Sequence, residues 1–184
     1  MKAARGRKNE RARAEQERSS GSGRTPNEKV MTAALKLLAN RSYSEGELRE
    51  RLARKSWTET RLVDECIKRL KELGYVNDDL FAHSYASYRV RSKPIGRARL
   101  KQELARKKVS SRSIDQALDL AFGETAEETL IDRAISRRVR THGSPRDRAA
   151  SRRMFDHLAR LGFEYDLIVR KLRVLRAETE NDEC

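Results

Sequence analysis

One short pattern of apolar residues occurs three times in this chain, and no other feature constrains the fold as strongly. Each copy is centred on a Leu-Ala-Arg triplet whose leucine is Leu52, Leu104 or Leu158, so the copies are 52 and 54 residues apart. In every copy, apolar residues also lie four positions before this leucine and five and ten positions after it. Such a period indicates a repeat protein, in which each unit buries its apolar face against its neighbours. Repeat arrays typically offer an extended binding surface, which favours a binding protein over an enzyme.

The apolar periodicity around these copies is helical. Apolar residues recur every three or four positions, and the alternating or β-branched runs that predict strands are absent. Ser44 with Glu47 predicts a capping box, Asn77 is a favourable N-cap, and Gly74 and Gly162 suit the left-handed position after a helix. We therefore expect an all-α protein of three tandem three-helix, helix-turn-helix-like repeats that form an elongated array.

The same signals set the predicted limits of the units. The three repeats span residues 27–76, 77–123 and 124–177. Residues 1–26 carry eight Lys or Arg and only one apolar side chain larger than alanine, so we expect a disordered basic arm. Residues 178–184 carry four acidic residues and no basic one, so they form an acidic tail.

Local signals predict where the helices of the third repeat begin. Thr125 and Glu128 have the spacing of a capping box, which predicts the start of the first helix. Ser144 followed by Pro145 predicts the start of the second helix, because proline suits the first helical position.

Two residues that often carry function are better explained by packing. Trp57 suits base stacking, but it aligns with Val109 and Phe163 in the other copies, so we expect it in the core. Cys66 lies on the apolar face of a predicted helix and is expected to be a small core residue.

The charge of the chain indicates a polyanionic partner. Its 42 Lys and Arg exceed its 28 Asp and Glu, which gives a net charge of +14. Such a surface attracts nucleic acid, an anionic membrane or an acidic protein. No stretch approaches the roughly 18 apolar residues of a membrane span. The basic N-terminus lacks the apolar segment of a secretory signal, and two cysteines make no disulfide framework, so we expect a cytoplasmic protein.

The motifs of catalytic and metal sites are missing from the sequence. His83, His142 and His157 have no Cys, Asp or Glu at metal-ligand spacing, and there is no His-Glu-x-x-His motif. Glycine-rich phosphate loops and Gly-x-Ser-x-Gly turns are also missing. The sequence therefore predicts no catalytic residues, no metal and no cofactor.

Basic residues fall mainly on the second helix of each repeat. A conventional helix-turn-helix would insert the third helix into the major groove, but in the middle repeat residues 111–119 contain one Arg and two Asp. We therefore place the candidate contacts to nucleic acid, or to a filament that contains it, on the second helices. These candidates are Arg97, Arg99, Lys101, Arg106, Lys107, Arg148, Arg152 and Arg153. They form either a continuous basic stripe or a scattered solvated surface. Arg137, Arg138 and Arg140 add charge to the third repeat.

The segment from Gly74 to Ala82 reads Gly-Tyr-Val-Asn-Asp-Asp-Leu-Phe-Ala. It resembles the Gly-Tyr-hydrophobic-Asp-Asp-x-x-Phe-Ala signature of the bacterial RecX proteins. Residues 43–55 before it and 100–109 after it are also similar to that family, and the resemblance covers roughly residues 28–176. Asn77 stands where the family usually has Asp.

The resemblance also shows departures at two turns. Ser56 and Lys108 stand where the family commonly has a glycine. These changes affect a turn and no proposed contact.

The resemblance implies a regulator of the RecA recombinase. Such a protein lies in the helical groove of the RecA–DNA filament, limits its growth, and inhibits strand exchange, ATP hydrolysis and coprotease activity. Its setting would be homologous recombination, DNA repair and the SOS response. Its partners would be the RecA filament and the DNA backbone, without sequence specificity and without a membrane, and it would act as a monomer. Two alternatives stay open: a stand-alone DNA-binding protein with tandem helix-turn-helix units, and a basic protein associated with RNA or the ribosome.

Overall fold

The computed structural model describes residues 24–181, and side chains as far as residue 177. Within this range the chain forms nine α-helices and no strand, in three consecutive groups of three. The helices are α1 (Pro26–Asn40), α2 (Glu45–Ala53), α3 (Thr60–Glu72), α4 (Asp78–Ser92), α5 (Arg97–Arg106), α6 (Ser111–Glu124), α7 (Glu127–His142), α8 (Arg148–Arg160) and α9 (Tyr165–Asn181). The all-α prediction with tandem three-helix repeats is confirmed. No helix in this range combines the length and apolar composition that a bilayer span requires.

Two predicted segments fall largely outside the described residues. Of the basic arm, residues 1–26, only 24–26 are described, and the side chains of the acidic tail, residues 178–184, are not. Thr25 is the N-cap of α1, and Pro26 is the first residue of this helix. The Glu28 N–H donates to Thr25 Oγ1 at 3.3 Å and the Thr25 N–H donates to Glu28 Oε2 at 2.9 Å, which completes a capping box. The limits of the three repeats stay a prediction.

The first compact unit combines residues 24–42 with residues 48–75. In this unit α1 packs against α3. Val30 and Ala34 are buried on α1, and Cys66 and Ile67 are buried on α3. The prediction of Cys66 as a core residue is confirmed, and burial raises the pKa of its thiol.

The second compact unit contains residues 43–47 and 76–181. One continuous hydrophobic cluster holds α4 to α9 together. Leu100, Leu118, Leu130 and Ile131 are fully buried within it. Burying one such side chain stabilises a fold by roughly 1.5–3 kcal/mol. Because the basic helices α5 and α8 both contribute side chains to this core, it fixes their positions.

The repeat register is confirmed in the core. Leu52, Leu104 and Leu158 each have 0% exposure. The residues four positions before them are buried in all three copies. These two sequence positions therefore fill equivalent places in the core of all three copies.

The prediction that Trp57 lies in the core is wrong, because its side chain is 47% exposed. In the later copies Lys108 and Gly162 adopt left-handed backbone, with φ of 60° and 88°, and the next residue, Val109 or Phe163, turns inward. Ser56, at the equivalent place, has no left-handed backbone. The first turn therefore leaves its apolar residue outside, where Lys55 Nζ lies 5.8 Å from the indole centroid.

The predicted starts of α2 after Ser44 and of α4 after Asn77 are confirmed. The Glu47 N–H donates to Ser44 Oγ at 3.1 Å. The Leu80 N–H donates to Asn77 Oδ1 at 3.0 Å. These bonds satisfy amide groups that a helix leaves unpaired at its N-terminus.

Both predicted helix starts in the third repeat are wrong. Helix α7 follows Ala126 without a side-chain cap, because Thr125 instead ends α6 by donating its N–H to Ala121 O at 3.2 Å. Helix α8 begins after Asp147, whose Oδ1 accepts the Ala150 N–H at 2.5 Å, and not at Ser144. A carboxylate cap also complements the positive end of the helix dipole, which favours Asp147.

Two turns of the second compact unit accept hydrogen bonds from segments far away in the sequence. The Gly96 N–H donates to Leu161 O at 2.8 Å and the Ala98 N–H donates to Gly162 O at 3.2 Å. At the equivalent positions, one repeat earlier, the Ser44 hydroxyl donates to Lys107 O. The residues just before α2 thus contact the turn after α5, and the residues at the start of α5 contact the turn after α8.

Candidate nucleic-acid interface

One face of α5 is paired with the acidic residues of α6. Arg97 forms an ion pair with Asp119, and Lys101 Nζ lies 2.9 Å from Asp115 Oδ1. The acids that make the third helix unsuited to a DNA groove therefore offset two of the predicted contacts. Because these pairs are exposed, each contributes roughly 0.2–1 kcal/mol, so a phosphate group can displace the carboxylates.

Arg97 also has contacts that fix its backbone. Its N–H donates to Glu127 Oε1 at 2.9 Å, and its guanidinium carbon lies 5.9 Å from the Phe122 centroid. Burial raises the pKa of Glu127, against the effect of this hydrogen bond. A substitution of Arg97 therefore changes packing as well as charge.

Arg99 lies at the edge of a half-buried ion network. Its guanidinium donates to Arg160 O at 2.8 Å and lies 3.5 Å from Glu103 Oε1. Glu103 accepts two bonds from Arg89, at 2.8 and 3.0 Å, and one from the Tyr85 hydroxyl at 3.0 Å. The hydrogen bonds from Arg89 hold the pKa of Glu103 below its usual range, although burial acts in the opposite direction. Arg99 thus links α5 to the end of α8, in addition to any contact that it makes with a partner.

Lys107 is directed into the second unit. Its side chain is 20% exposed, and Nζ lies 3.5 Å from Glu47 Oε1. Nζ also lies 5.0 Å from the Tyr85 centroid and 5.8 Å from the Phe81 centroid. An ion pair and two cation–π contacts therefore hold this ammonium group, which makes it the least accessible of the predicted residues.

Two predicted residues on α8 share a groove with α9. Arg148 and Arg152 lie one turn apart and line a groove of about 710 Å³. Phe155 and Tyr165 form its aromatic wall, edge to face with their centroids 5.4 Å apart. Arg152 Nε lies 3.3 Å from Asp156 Oδ1 on the same helix.

Three predicted residues carry charges without a carboxylate partner among the described side chains. Arg106, Arg148 and Arg153 are exposed, and none takes part in an ion pair within this part of the chain. The structure thus divides the eight candidates into five with a carboxylate partner and three without one. The paired residues are Arg97, Arg99, Lys101, Lys107 and Arg152. The described residues also include no group of His, Cys, Asp and Glu arranged to hold a metal ion.

The fold also brings together basic residues that lie outside the predicted set. Arg133, Arg137 and Arg140 lie on one face of α7. Their spacing of four and three residues predicts a shared helix face, so the sequence contained this signal. Lys93 and His157 meet at a neighbouring cavity although 64 positions separate them in the sequence. No local pattern connects residues so far apart, so the sequence analysis missed this pair.

Comparison with known proteins identifies relatives of the whole helical region. Residues 31–70 match the first three-helix domain of RecX, and residues 77–118 match the second three-helix domain. The regulatory protein RecX of Treponema pallidum is 36% identical over 124 residues, which are 66% of this chain and 75% of that protein. The regulatory protein RecX of Streptomyces coelicolor is 32% identical over 162 residues, which are 87% of this chain and 85% of that protein.

A solved structure shares the fold. The crystal structure of RecX from Lactobacillus salivarius superimposes with a TM-score of 0.70 at 21% identity, and the match covers 81% of this chain and 97% of that chain. The helical order, the repeat register, the two domain matches and the level of identity all agree. This chain belongs to the RecX family.

Proposed function

We propose that this protein binds the RecA–DNA filament and regulates RecA, mostly by inhibition and without catalysis of its own. Its curated relatives are named regulatory proteins, which supports the general role. The observation that carries the finer proposal is the uncompensated charge of Arg106, Arg148 and Arg153 on the second helices of two repeats. By occupying the filament the protein limits its growth, and so lowers strand exchange, ATP hydrolysis and coprotease activity in recombination, DNA repair and the SOS response.

Binding of this kind draws on many weak contacts. A filament repeats phosphate and acidic surface along its length, so basic side chains on successive repeats bind with a high effective concentration once the first contact forms. The paired residues Arg97 and Lys101 add to this, because a competing phosphate can replace the exposed carboxylates of Asp119 and Asp115. The protein thereby contacts the DNA backbone without reading its sequence, as a monomer in the cytoplasm.

The alternative, a stand-alone helix-turn-helix protein, requires α6 to enter a DNA groove. Asp115 and Asp119 of α6 lie beside α5 and are 53% and 70% exposed. A helix that presents these carboxylates to phosphates meets like-charge repulsion. This arrangement favours the filament proposal.

The proposal is tested by RecA ATP hydrolysis on single-stranded DNA, with this protein well below stoichiometric amounts. We expect inhibition by the unchanged protein and its loss when Arg106→Gln, Arg148→Gln and Arg153→Gln are combined. The matched control combines Lys29→Gln, Lys36→Gln and Lys68→Gln, which removes the same charge from exposed positions of α1 and α3.

The control variant is expected to inhibit RecA as strongly as the unchanged protein. If both triple variants lose inhibition equally, net charge and not the second helices explains binding, and the proposed surface is wrong. If Arg112→Glu on α6 alone removes more inhibition than the triple variant, the helix-turn-helix alternative replaces the proposal. If the unchanged protein leaves RecA unaffected, the proposed function itself is wrong.

A further inference from the structure

A cavity of about 330 Å³ in the second compact unit has a basic lining without a carboxylate. It lies between the C-terminal end of α7, the linker before α5, and α8. Lys93, Arg137 and Arg138 contribute cationic groups, and His142 and His157 contribute imidazoles. Its volume is at the lower end of the roughly 300–1,000 Å³ that ligand pockets occupy, so it suits a small anionic group.

Apart from Thr141, the rest of the lining is apolar. Pro94, Ala134 and Leu161 form this part of the wall. A flat ring gains from such a surface, whereas a simple inorganic anion gains nothing from it. The cavity therefore fits a ligand that has a planar apolar part and a negatively charged part.

The C-terminal end of a helix carries partial negative charge, which disfavours an anion, but at the end of α7 neighbouring groups offset this charge. The Gly143 N–H donates to Val139 O at 2.7 Å, and the Thr141 hydroxyl donates to Arg138 O at 3.0 Å. The terminal carbonyls of α7 are thereby partly satisfied within the protein. The guanidinium groups of Arg137 and Arg138 supply full positive charges at the same place.

The titration of His157 reflects this basic environment. Burial lowers the pKa of His157 most, and Arg138, Arg160 and His142 lower it further by repulsion. A bound phosphate would reverse the sign of the local field and raise this pKa, so the imidazole is an internal reporter for the cavity.

We propose that this cavity binds one unpaired nucleotide of a single-stranded nucleic acid, with its phosphate among Lys93, Arg137 and Arg138 and its base against Pro94 and Leu161. Bases of a single strand are free to leave the stack, and aromatic base faces pack well on apolar and imidazole surfaces. A duplex would offer the cavity only its phosphates.

A second groove gives the strand a path away from the cavity. It has a volume of about 480 Å³, shares Pro94 and Arg137 with the cavity, and is also lined by Arg133 and Arg140. The one acid in its lining, Asp132, lies 2.7 Å from Lys171 Nζ. Neighbouring phosphates of the same strand can therefore lie along α7.

The proposal does not rest on the regulation of RecA, because the cavity uses none of the second-helix residues assigned to filament binding. Its test uses the full chain without RecA. The probes are a short oligothymidylate, the same sequence as a duplex, thymidine monophosphate, inorganic phosphate and polyglutamate, all at one salt concentration. Affinity is measured by fluorescence anisotropy, and the His157 ring resonance is followed by NMR as a function of pH.

We expect oligothymidylate to shift the His157 resonance and raise its titration midpoint. Arg138→Gln should weaken oligothymidylate binding by roughly tenfold, the effect of one lost charge-assisted hydrogen bond. Arg112→Gln on α6 removes the same charge from an exposed site outside both cavities and should weaken binding much less. Lys93→Gln, at an exposed position of the linker, provides a second variant should Arg138→Gln fail to fold.

Thymidine monophosphate at saturating concentration should compete with oligothymidylate for the cavity, because it carries the same base and phosphate, and a lack of competition would overturn a site for one nucleotide. The proposal is overturned if inorganic phosphate shifts His157 as strongly as the mononucleotide, because the base then contributes nothing. It is also overturned if the duplex or polyglutamate acts as strongly as the single strand, or if Arg112→Gln weakens binding as much as both cavity variants.

Discussion

Lys108 and Gly162 occupy the same position in consecutive repeats and show how one residue sets a turn. Both have left-handed backbone, with φ of 60° and 88°. Glycine adopts this conformation freely, whereas a side chain at Cβ costs roughly 1–2 kcal/mol. Lys108 therefore adopts a backbone conformation that a lysine does not favour. The burial of the next residue, Val109, maintains the turn.

Exchange at these two positions should have opposite effects. Lys108→Gly should raise the free energy of unfolding by roughly 0.5–1 kcal/mol, because relief of the backbone strain outweighs the greater flexibility of glycine in the unfolded chain. Gly162→Ala should lower it, because the new Cβ is strained and overlaps the Arg99 Cβ. Urea unfolding followed by circular dichroism measures both. A Lys108→Gly protein that is less stable would show that contacts of the lysine side chain outweigh the strain.

The candidate residues show which part of a site a sequence contains. Arg97 and Arg106 are both arginines on the same basic helix, and no local pattern separates them. In the fold Arg97 lies beside Asp119 of the next helix, whereas Arg106 has no carboxylate partner among the described side chains. The position of basic residues on second helices was predictable, but their pairing depends on contacts between helices and was not.

At the scale of elements, the helices were predictable and some of their ends were not. An apolar period extends over many residues, so a wrong interpretation at one position leaves the helix in place. A cap depends on one side chain in competition with its neighbours, as Ser144 and Asp147 show before α8. Trp57 was misplaced for the same reason, because its exposure follows from the backbone of Ser56 and not from its own apolar character.

The equivalence of the three leucines gives a test of the repeat register. Leu52→Ala, Leu104→Ala and Leu158→Ala should each lower the free energy of unfolding by roughly 2–5 kcal/mol, because each removes fully buried methyl groups. Trp57→Ala removes a larger side chain but should cost about 1 kcal/mol or less, because the indole is exposed. Thermal and urea unfolding measure all four. A Leu104→Ala protein with unchanged stability would refute the register.

At the scale of the whole molecule, the N-terminal residues contribute basic charge but almost no large apolar side chain. Residues 1–23 hold seven of the 42 Lys and Arg but contribute no apolar side chain larger than alanine except Met1. Folding gains little from such a segment, whereas a phosphate backbone gains from each cation. Stability and affinity for DNA should therefore respond differently to its removal.

Two truncations separate these effects. A chain that begins at residue 24 should keep its thermal midpoint and bind DNA with a smaller salt slope, because it makes fewer phosphate contacts. A chain that begins at residue 27 also loses Thr25, the N-cap of α1, and should be less stable by roughly 0.5–2 kcal/mol. Equal thermal midpoints for the two truncated chains would show that the capping box contributes nothing. A lower midpoint for the chain that begins at residue 24 than for the full chain would show that the arm packs against the helices.

The carbonyl group just after the end of each second helix finds its hydrogen-bond donor in a different way in the first copy than in the other two. Lys107 O accepts a hydrogen bond from the Ser44 hydroxyl, and Leu161 O accepts one from the Gly96 N–H. Each donor lies in a segment that comes much earlier in the sequence. Lys55 O, at the same position of the first copy, already accepts the Thr58 N–H at 3.0 Å and the Thr58 hydroxyl at 2.6 Å. The first copy thus satisfies this carbonyl group within its own turn, whereas the two later copies satisfy it with a donor more than 60 residues away in the sequence.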